Sequence, residues 1–304
     1  MPFLFESFKS WGEYTRERGV PLHEVVLEYE QEQKGHGREE VLATLNKAWQ
    51  VMREAVETGL TQDTRSRSGM IDNGGKKVFR SDITVLSREF QDLIARALAA
   101  KEVNSCMGRI VAAPTAGASG IMPGVLYTTQ RIHNITDDKV MEGMLVSAGI
   151  GLIIEQRASL AGAVGGCQAE TGSAAAMASG AIVYMLGGSN ETVFDAVGIT
   201  LQCMLGLVCD PVAGLVEVPC VVRNASAAAI AFSAAQIALA QVDSVIPVDE
   251  VVDAMGEIGA SMEARYKETA QGGLAATPTA RKIASRTLIR DIDVLPDDQP
   301  EGLK

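Results

Sequence analysis

Leu22, Val25, Val26 and Tyr29 recur at i, i+3, i+4 and i+7, the spacing that places apolar side chains on one face of an α-helix. Val41, Leu45, Ala48, Met52 and Val56 trace a second stripe, and Leu86, Phe90, Leu93 and Ala97 a third. Each stripe is backed by a charged face, which predicts outer-layer helices over the first hundred residues. Between the second and third stripes runs TQDTRSRSGMIDNGGKKVFRSD, rich in Gly, Ser and Asp. It reads as a long loop, and long loops inside a compact domain usually carry function. From Gly108 the pattern changes to short apolar segments punctuated by Gly and Pro: AAPTAGASGIMPG, AGAVGGCQAETGS, MLGGSNE and CDPVAGLVEVPC. Val193, Val197, Leu201, Met204 and Val208 predict a helix that starts at a Ser189–Asn190 cap and stops at Pro211. Val251, Met255, Ile258 and Met262 predict a last helix after Pro247. No strand-like alternation persists beyond a few residues, and no internal repeat is present. The expected fold is all-α, with outer amphipathic helices around a central Ala/Gly-rich apolar helical core. A single α-helical domain over 1–304 is expected, with a frayed tail over 290–304.

Composition sharpens this picture. Only 5% of the 304 residues are aromatic, while Gly numbers 30, so the core must bring backbones close together. That favours packed helices over a β-sandwich. With 47% hydrophobic and 21% charged residues the chain is not disordered. A net charge of −11 argues against nucleic acid as a partner, because phosphate binding needs a basic face. The apolar run 174–186 falls short of the roughly 20 residues of a membrane span. The run 225–242 is long enough, but it is Ala-rich, carries Ser226, Ser233 and Gln236, and lacks flanking basic residues. Both read as buried core helices, so no membrane association is expected. The N-terminal MPFLFESFKSWGEYTRERG has neither a long apolar stretch nor a small-residue cleavage site. The expectation is a cytoplasmic protein.

Five cysteines, Cys106, Cys167, Cys203, Cys209 and Cys220, would then stay reduced and serve metal binding, catalysis or packing. Cys203 falls inside the predicted 191–208 helix and Cys106 just before an apolar run, where packing suffices. Cys167 follows Gly165–Gly166 and precedes a cap at Thr171 or Ser173. Cys209 ends a helix before Asp210–Pro211, and Cys220 opens one after Pro219. Three thiols at helix ends could converge on one iron–sulfur cluster. Zinc would ask for a fourth Cys or a neighbouring His, and His23, His36 and His133 lie elsewhere. Spacing alone leaves cluster and packing both open.

Longer stretches carry a resemblance. MGRIVAAPTAGASGIMPGVL (107–126), GGCQAETGSAAAMA (165–178), LGLVCDPVAGLVEVPCVVRNA (205–225) and YKETAQGGLAATPTA (266–280) resemble the α chain of bacterial iron–sulfur L-serine dehydratase. The likeness runs in order from about residue 20 to 285. The chain is similar to the α subunit of the two-chain type, whose β subunit is a separate polypeptide; its size and its start in the catalytic region fit that type. The resemblance implies a 4Fe–4S cluster held by Cys167, Cys209 and Cys220, with one iron free of protein thiolate. Some single-chain members end in a Cys that caps this iron, whereas this chain ends EGLK. The implied activity is conversion of L-serine to pyruvate and ammonia by β-elimination, the open iron acting as Lewis acid, without pyridoxal phosphate. Alternatives are a related lyase acting on threonine or cysteine and a non-catalytic cluster-carrying subunit.

The remaining site candidates follow from both readings. APTAGASG (113–120) is a hydroxyl- and glycine-rich turn before an apolar run. Its amides, with Thr115, Gly117, Ser119 and Gly120, could hold the substrate carboxylate; a tight helix–helix turn has the same composition. Ser68–Gly69 and Asn73–Gly74–Gly75 are expected to form a second wall or a lid. Lys76 and Lys77 read as surface or substrate-loop lysines. Lys267, Glu268 and Thr269 make a polar patch with Gly272–Gly273. Glu155, Gln156 and Arg157 suggest a buried Glu–Arg pair bracing the cluster region. Charges nearly vanish between Ala158 and Cys220. The base for the α-proton is left unassigned. His23, His36 and His133 are candidates by intrinsic pKa, and the β subunit is another source.

Overall fold

The stripes become helices in the structure, a computed structural model that describes residues 6–83 and 85–292. In chain order they are α1 (Phe8–Arg18), α2 (Leu22–Lys34), α3 (Arg38–Thr61), α4 (Gly74–Arg80), α5 (Arg88–Ser105), α6 (Ile121–His133) and α7 (Asp137–Arg157). They continue as α8 (Gly162–Gly165), α9 (Ser173–Met185), α10 (Asn190–Gln202), α11 (Cys220–Leu239), α12 (Val248–Ser261) and α13 (Pro278–Ile292). The fold is all-α, as expected. The described residues contain no strand, only two isolated bridges. Hydroxyl caps start several helices: Ser7, Ser87, Thr136 and Ser189 each accept a backbone N–H from the first turn. Gly19 and Gly35 close α1 and α2 in the left-handed conformation.

The apolar centre is α9, in which every residue from Ser173 to Met185 is buried. It packs against α6, α7, α10 and α11. Small residues allow the approach: a Cβ on Gly180 would stand 2.4 Å from Ile150 Cδ1. A second centre differs from expectation. The third stripe does form a helix, α5, but it is not an outer one, for residues on all its faces are buried, including Arg96, Lys101 and Glu102. Helices α3, α4, α6 and α11 surround it.

Other boundaries move as well. The Gly/Ser/Asp-rich segment contains a short helix, α4. Helix α10 ends at Gln202 instead of reaching Pro211, because Gly206 turns the chain at φ +79° and its amide donates to the Gln168 side chain. Cys209 therefore lies on extended chain, bridged in parallel to Lys267. A further helix, α13, follows α12. Glu155 is exposed and Arg157 pairs with Asp249 and Asp253, so no buried Glu–Arg pair forms there. Helix α13 covers the start of the expected tail, and the rest of that tail lies outside the described residues. One described helix, α11, is long and apolar enough to cross a membrane, but half of its most apolar stretch is buried inside the protein.

Candidate active site

Three peptides bring Cys167, Cys209 and Cys220 into one buried region. Cys167 follows Gly166, whose φ of +74° and contacts admit only glycine: a Cβ would stand 2.7 Å from Met262 Sδ and 3.0 Å from the Leu207 carbonyl. No side-chain cap follows Cys167. Instead a single π-helical turn, Gln168–Gly172, runs directly into α9, and such turns are frequent at functional sites. The Gln168 amide donates to the Leu207 carbonyl (2.9 Å), drawing the Cys209 peptide alongside. On the other side of Cys209, its amide donates to Tyr266 O (2.8 Å) and its carbonyl accepts from Glu268 N (2.9 Å). The polar patch at 267–269 is thus a backbone clamp on Cys209. Cys220 opens α11, as expected. One turn on, Arg223 donates to Val208 O (2.8 Å) and pairs with buried Asp210 (2.9 Å), fastening α11 to the Cys209 peptide. Asp210 also accepts from Leu274 N at 2.7 Å.

The thiols act on one another. A hydrogen bond from Cys209 holds Cys167 below the usual thiol range, with help from the Thr171 hydroxyl at 3.0 Å and from Arg223. Cys209 is correspondingly pushed up. Burial, then the charge of Cys167, pushes Cys220 up to about 12. Cys106 caps α5 and Cys203 caps α10; Cys203 is exposed. Among the described residues no group of three or more His, Cys, Asp or Glu is close enough to share a single metal ion. Three soft, buried sulfurs without a common focus do not fit one ion. Thiolates are soft donors of the kind iron–sulfur groups take, each binding its own metal atom.

The 113–120 turn lies against this region. Asn224 on α11 makes the link: its side-chain amide donates to Gly117 O and Cys220 O (both 2.8 Å), and its oxygen accepts from Gly120 N (2.8 Å). Gly120 is thereby spent on packing, for a Cβ there would collide with the Ala97 carbonyl of α5. The amides of Thr115, Ala116 and Gly117 have no acceptor among the described residues. Thr115 Oγ1 accepts from Ala118 N, and its hydroxyl is near enough to Glu170 to hold that carboxyl's pKa down. Ser119 is buried, with no partner for its hydroxyl.

Ser68 and Asn73 part company. Ser68 and Ser66 both donate to buried Glu217, three residues before Cys220. This places the 66–68 segment beside the cysteine peptides. Asn73 makes its hydrogen bonds within its own loop, to Thr64 N and Asp72. The loop is pinned from beneath by buried Glu102, which accepts from Gly74 N, Gly75 N and the Thr64 hydroxyl. Lys76 and Lys77 pair with Asp63 and Asp72.

Sequence reasoning missed Lys101, Glu170 and Glu217. Lys101 is fully buried on α5, with its ammonium on Asn104 Oδ1 and Val216 O. Burial lowers it to about 8 against the opposing pull of Cys220, Glu170 and Glu217. Glu170 is half-buried on the π-turn. Burial and nearby Glu268 raise its pKa, while Thr115 and Lys101 lower it. A signal was available, for Glu170, Asp210 and Glu217 are three of the few charges left between Ala158 and Cys220. The histidines are elsewhere: His23 meets Tyr184 and Glu24, His36 meets Glu30, and His133 is exposed at the end of α6.

Residues 17–275 match the family described as Serine dehydratase alpha chain. "L-serine dehydratase, alpha chain" of Peptoniphilus asaccharolyticus is 45% identical over 270 residues, which cover 88% of this chain and 92% of the relative. "Probable L-serine dehydratase, alpha chain" of Bacillus subtilis (strain 168) is 42% identical over 286 residues, covering 93% and 95%. "L-serine dehydratase" of Streptomyces coelicolor is 40% identical over 275 residues, covering 86% of this chain but 58% of the relative.

Proposed function

The chain belongs to the serine dehydratase alpha chain family, and from that premise we propose that it is the α subunit of a 4Fe–4S-dependent L-serine dehydratase. In this reading it works in the cytoplasm with a separate β subunit, in amino-acid degradation that can feed gluconeogenesis. The observation that supports the reading is the joining of the Cys220 peptide, itself fastened to the Cys209 peptide by Arg223, to the 113–120 turn through Asn224. A cluster on Cys167, Cys209 and Cys220 supplies, when bound, an iron without a protein thiolate that polarises the substrate hydroxyl as a Lewis acid. The free amides of Thr115, Ala116 and Gly117 are suited to the substrate carboxylate. Ser119 offers a buried, unpartnered hydroxyl beside them. The 66–68 segment, tied through Ser68 to Glu217, forms a wall that limits water. Lys101 and Arg223 bring positive charge into a region otherwise made of thiolates and carboxylates, which offsets the cost of burying them. Loss of the Cα proton and the β-hydroxyl gives 2-aminoacrylate, whose tautomer hydrolyses to pyruvate and ammonia. No step requires pyridoxal phosphate.

The test is a set of serine substitutions. Cys167→Ser, Cys209→Ser and Cys220→Ser each leave two thiols and should lose iron and anaerobic serine turnover together. Cys106→Ser and Cys203→Ser should keep both, at a stability cost of at most about 1–2 kcal/mol. Full iron and full turnover after Cys209→Ser would defeat the assignment.

A further inference from the structure

We infer that the Glu170 carboxylate receives the ammonium group of the substrate, and so makes the site select an amino acid over the same molecule without its amine. The inference rests on the dehydratase reading. Its support is the position of this one side chain. Glu170 stands three residues after Cys167 on the π-turn, and its carboxylate lies over two glycines that leave room for it. A Cβ on Gly117, in the 113–120 turn, would come 3.1 Å from Oε1; one on Gly162 would come 2.7 Å from Oε2. The same point on Gly162 is 3.4 Å from Cys209 Sγ. The carboxylate therefore sits between the turn suited to the substrate carboxylate and the cysteine sulfurs.

A charge inventory of the region points to what is missing. Lys101 is held by Asn104 and Val216, and Arg223 by Asp210 and Val208. Glu217 takes two serine hydroxyls, and Glu268 is exposed. Among the described residues no Lys, Arg or His nitrogen lies within ion-pair distance of Glu170, although it is half-buried. A carboxylate removed from water calls for a cation. An amino acid anchored by its carboxylate at residues 115–117 carries its ammonium on the very next carbon, on the side of Thr115 and Glu170. Substrate and site then neutralise one another pair by pair.

The experiment compares L-serine with 3-hydroxypropanoate, which is serine without the amine, on the anaerobically loaded enzyme assembled with its β chain. In Glu170→Gln the KM for L-serine should rise about ten- to hundredfold, the range of a charge-assisted hydrogen bond. Iron content and thermal midpoint should stay at wild-type values. Inhibition by 3-hydroxypropanoate should be unchanged or stronger, so that the preference for the amine falls at least about tenfold. In Glu170→Asp, which keeps the charge, most of that preference should persist. An unchanged KM, a fall in kcat alone, or a loss of iron with the variant would each overturn the inference, the second pointing to proton transfer and the third to support of the cysteines. If Glu170→Gln does not fold, Glu170→Asp and wild-type calorimetry with the two probes decide: equal affinity for both overturns the inference. Absence of serine turnover by the wild type would count instead against the dehydratase reading.

Discussion

The carboxylates buried around the candidate site each hold a particular segment in place. Glu102 holds three donors of the 64–75 loop, Glu217 ties the same loop to the Cys220 peptide, and Asp210 with Arg223 joins α11 to Cys209. His23 shows the same economy away from the site. Its Nδ1 meets the Tyr184 hydroxyl and its Nε2 lies 3.2 Å from Glu24. Burial lowers its pKa below 6.5, and Lys139 adds to this; Glu142 and Glu24 pull the other way. The unfolded chain therefore binds a proton at a pH where the folded chain still leaves the imidazole neutral. The stability contributed by neutral His23 is whole above pH about 6.5 and is lost as pH falls toward the folded-state pKa. Thermal midpoints measured between pH 7.5 and 5.5 should fall with pH in the wild type and fall less in His23→Gln. Parallel curves would remove His23 from the account.

Among the helices, α5 determines how closely the others can approach. A Cβ on Gly59 of α3 would stand 2.3 Å from Ala99 O, and one on Gly124 of α6 would stand 2.8 Å from Ala97 N; Gly75 and Gly120 meet the same stretch. In an exposed helix, Gly→Ala is worth roughly 1 kcal/mol of added stability. Here the sign should reverse: Gly59→Ala and Gly124→Ala are each expected to cost about 1–3 kcal/mol by overpacking, measured by denaturant unfolding. This packing also explains what could be read from sequence and what could not. Helices α2, α3 and α12 were legible because one face of each meets water and leaves a periodic trace. The third stripe announced α5 but not its depth, since Lys101 and Glu102 look like a solvated face until Gly75, Gly120 and Asn104 close over them. The end of α10 was misread because Gly206 gives its amide to Gln168, a residue 38 positions earlier. The cysteine turns were visible as Gly and Pro signals. Glu170 left no periodic trace, and only its place among the few charges between Ala158 and Cys220 marks it in the sequence.

At the scale of the whole molecule, an apolar side chain is exposed on the Cys167 peptide, on the Cys220 peptide and on the segment tied to the Cys209 peptide. Val164, three residues before Cys167, is 56% exposed, and Val222, two residues after Cys220, is 59% exposed. Leu274, whose amide is held by Asp210 next to Cys209, is 44% exposed. Scattered surface hydrophobics need no explanation, but these flank the very peptides proposed to hold the cluster, where water must be excluded during turnover. A β chain seated over them would bury the three side chains and close the substrate region in one step. The expected behaviour follows from that division of labour. The α chain alone should retain iron yet turn over serine poorly, and adding β should restore activity along a saturable curve. Val222→Glu, which puts a charge into that contact without touching a thiol, should leave the iron content of α unchanged. It should also raise the β concentration needed for half-maximal activity about tenfold or more, the effect of one desolvated, unpaired charge at an interface. Sedimentation of α with β before and after the substitution checks the association directly. Full activity from α without β, or a Val222→Glu chain that titrates with β like the wild type, would show that the cysteine face is closed by other means.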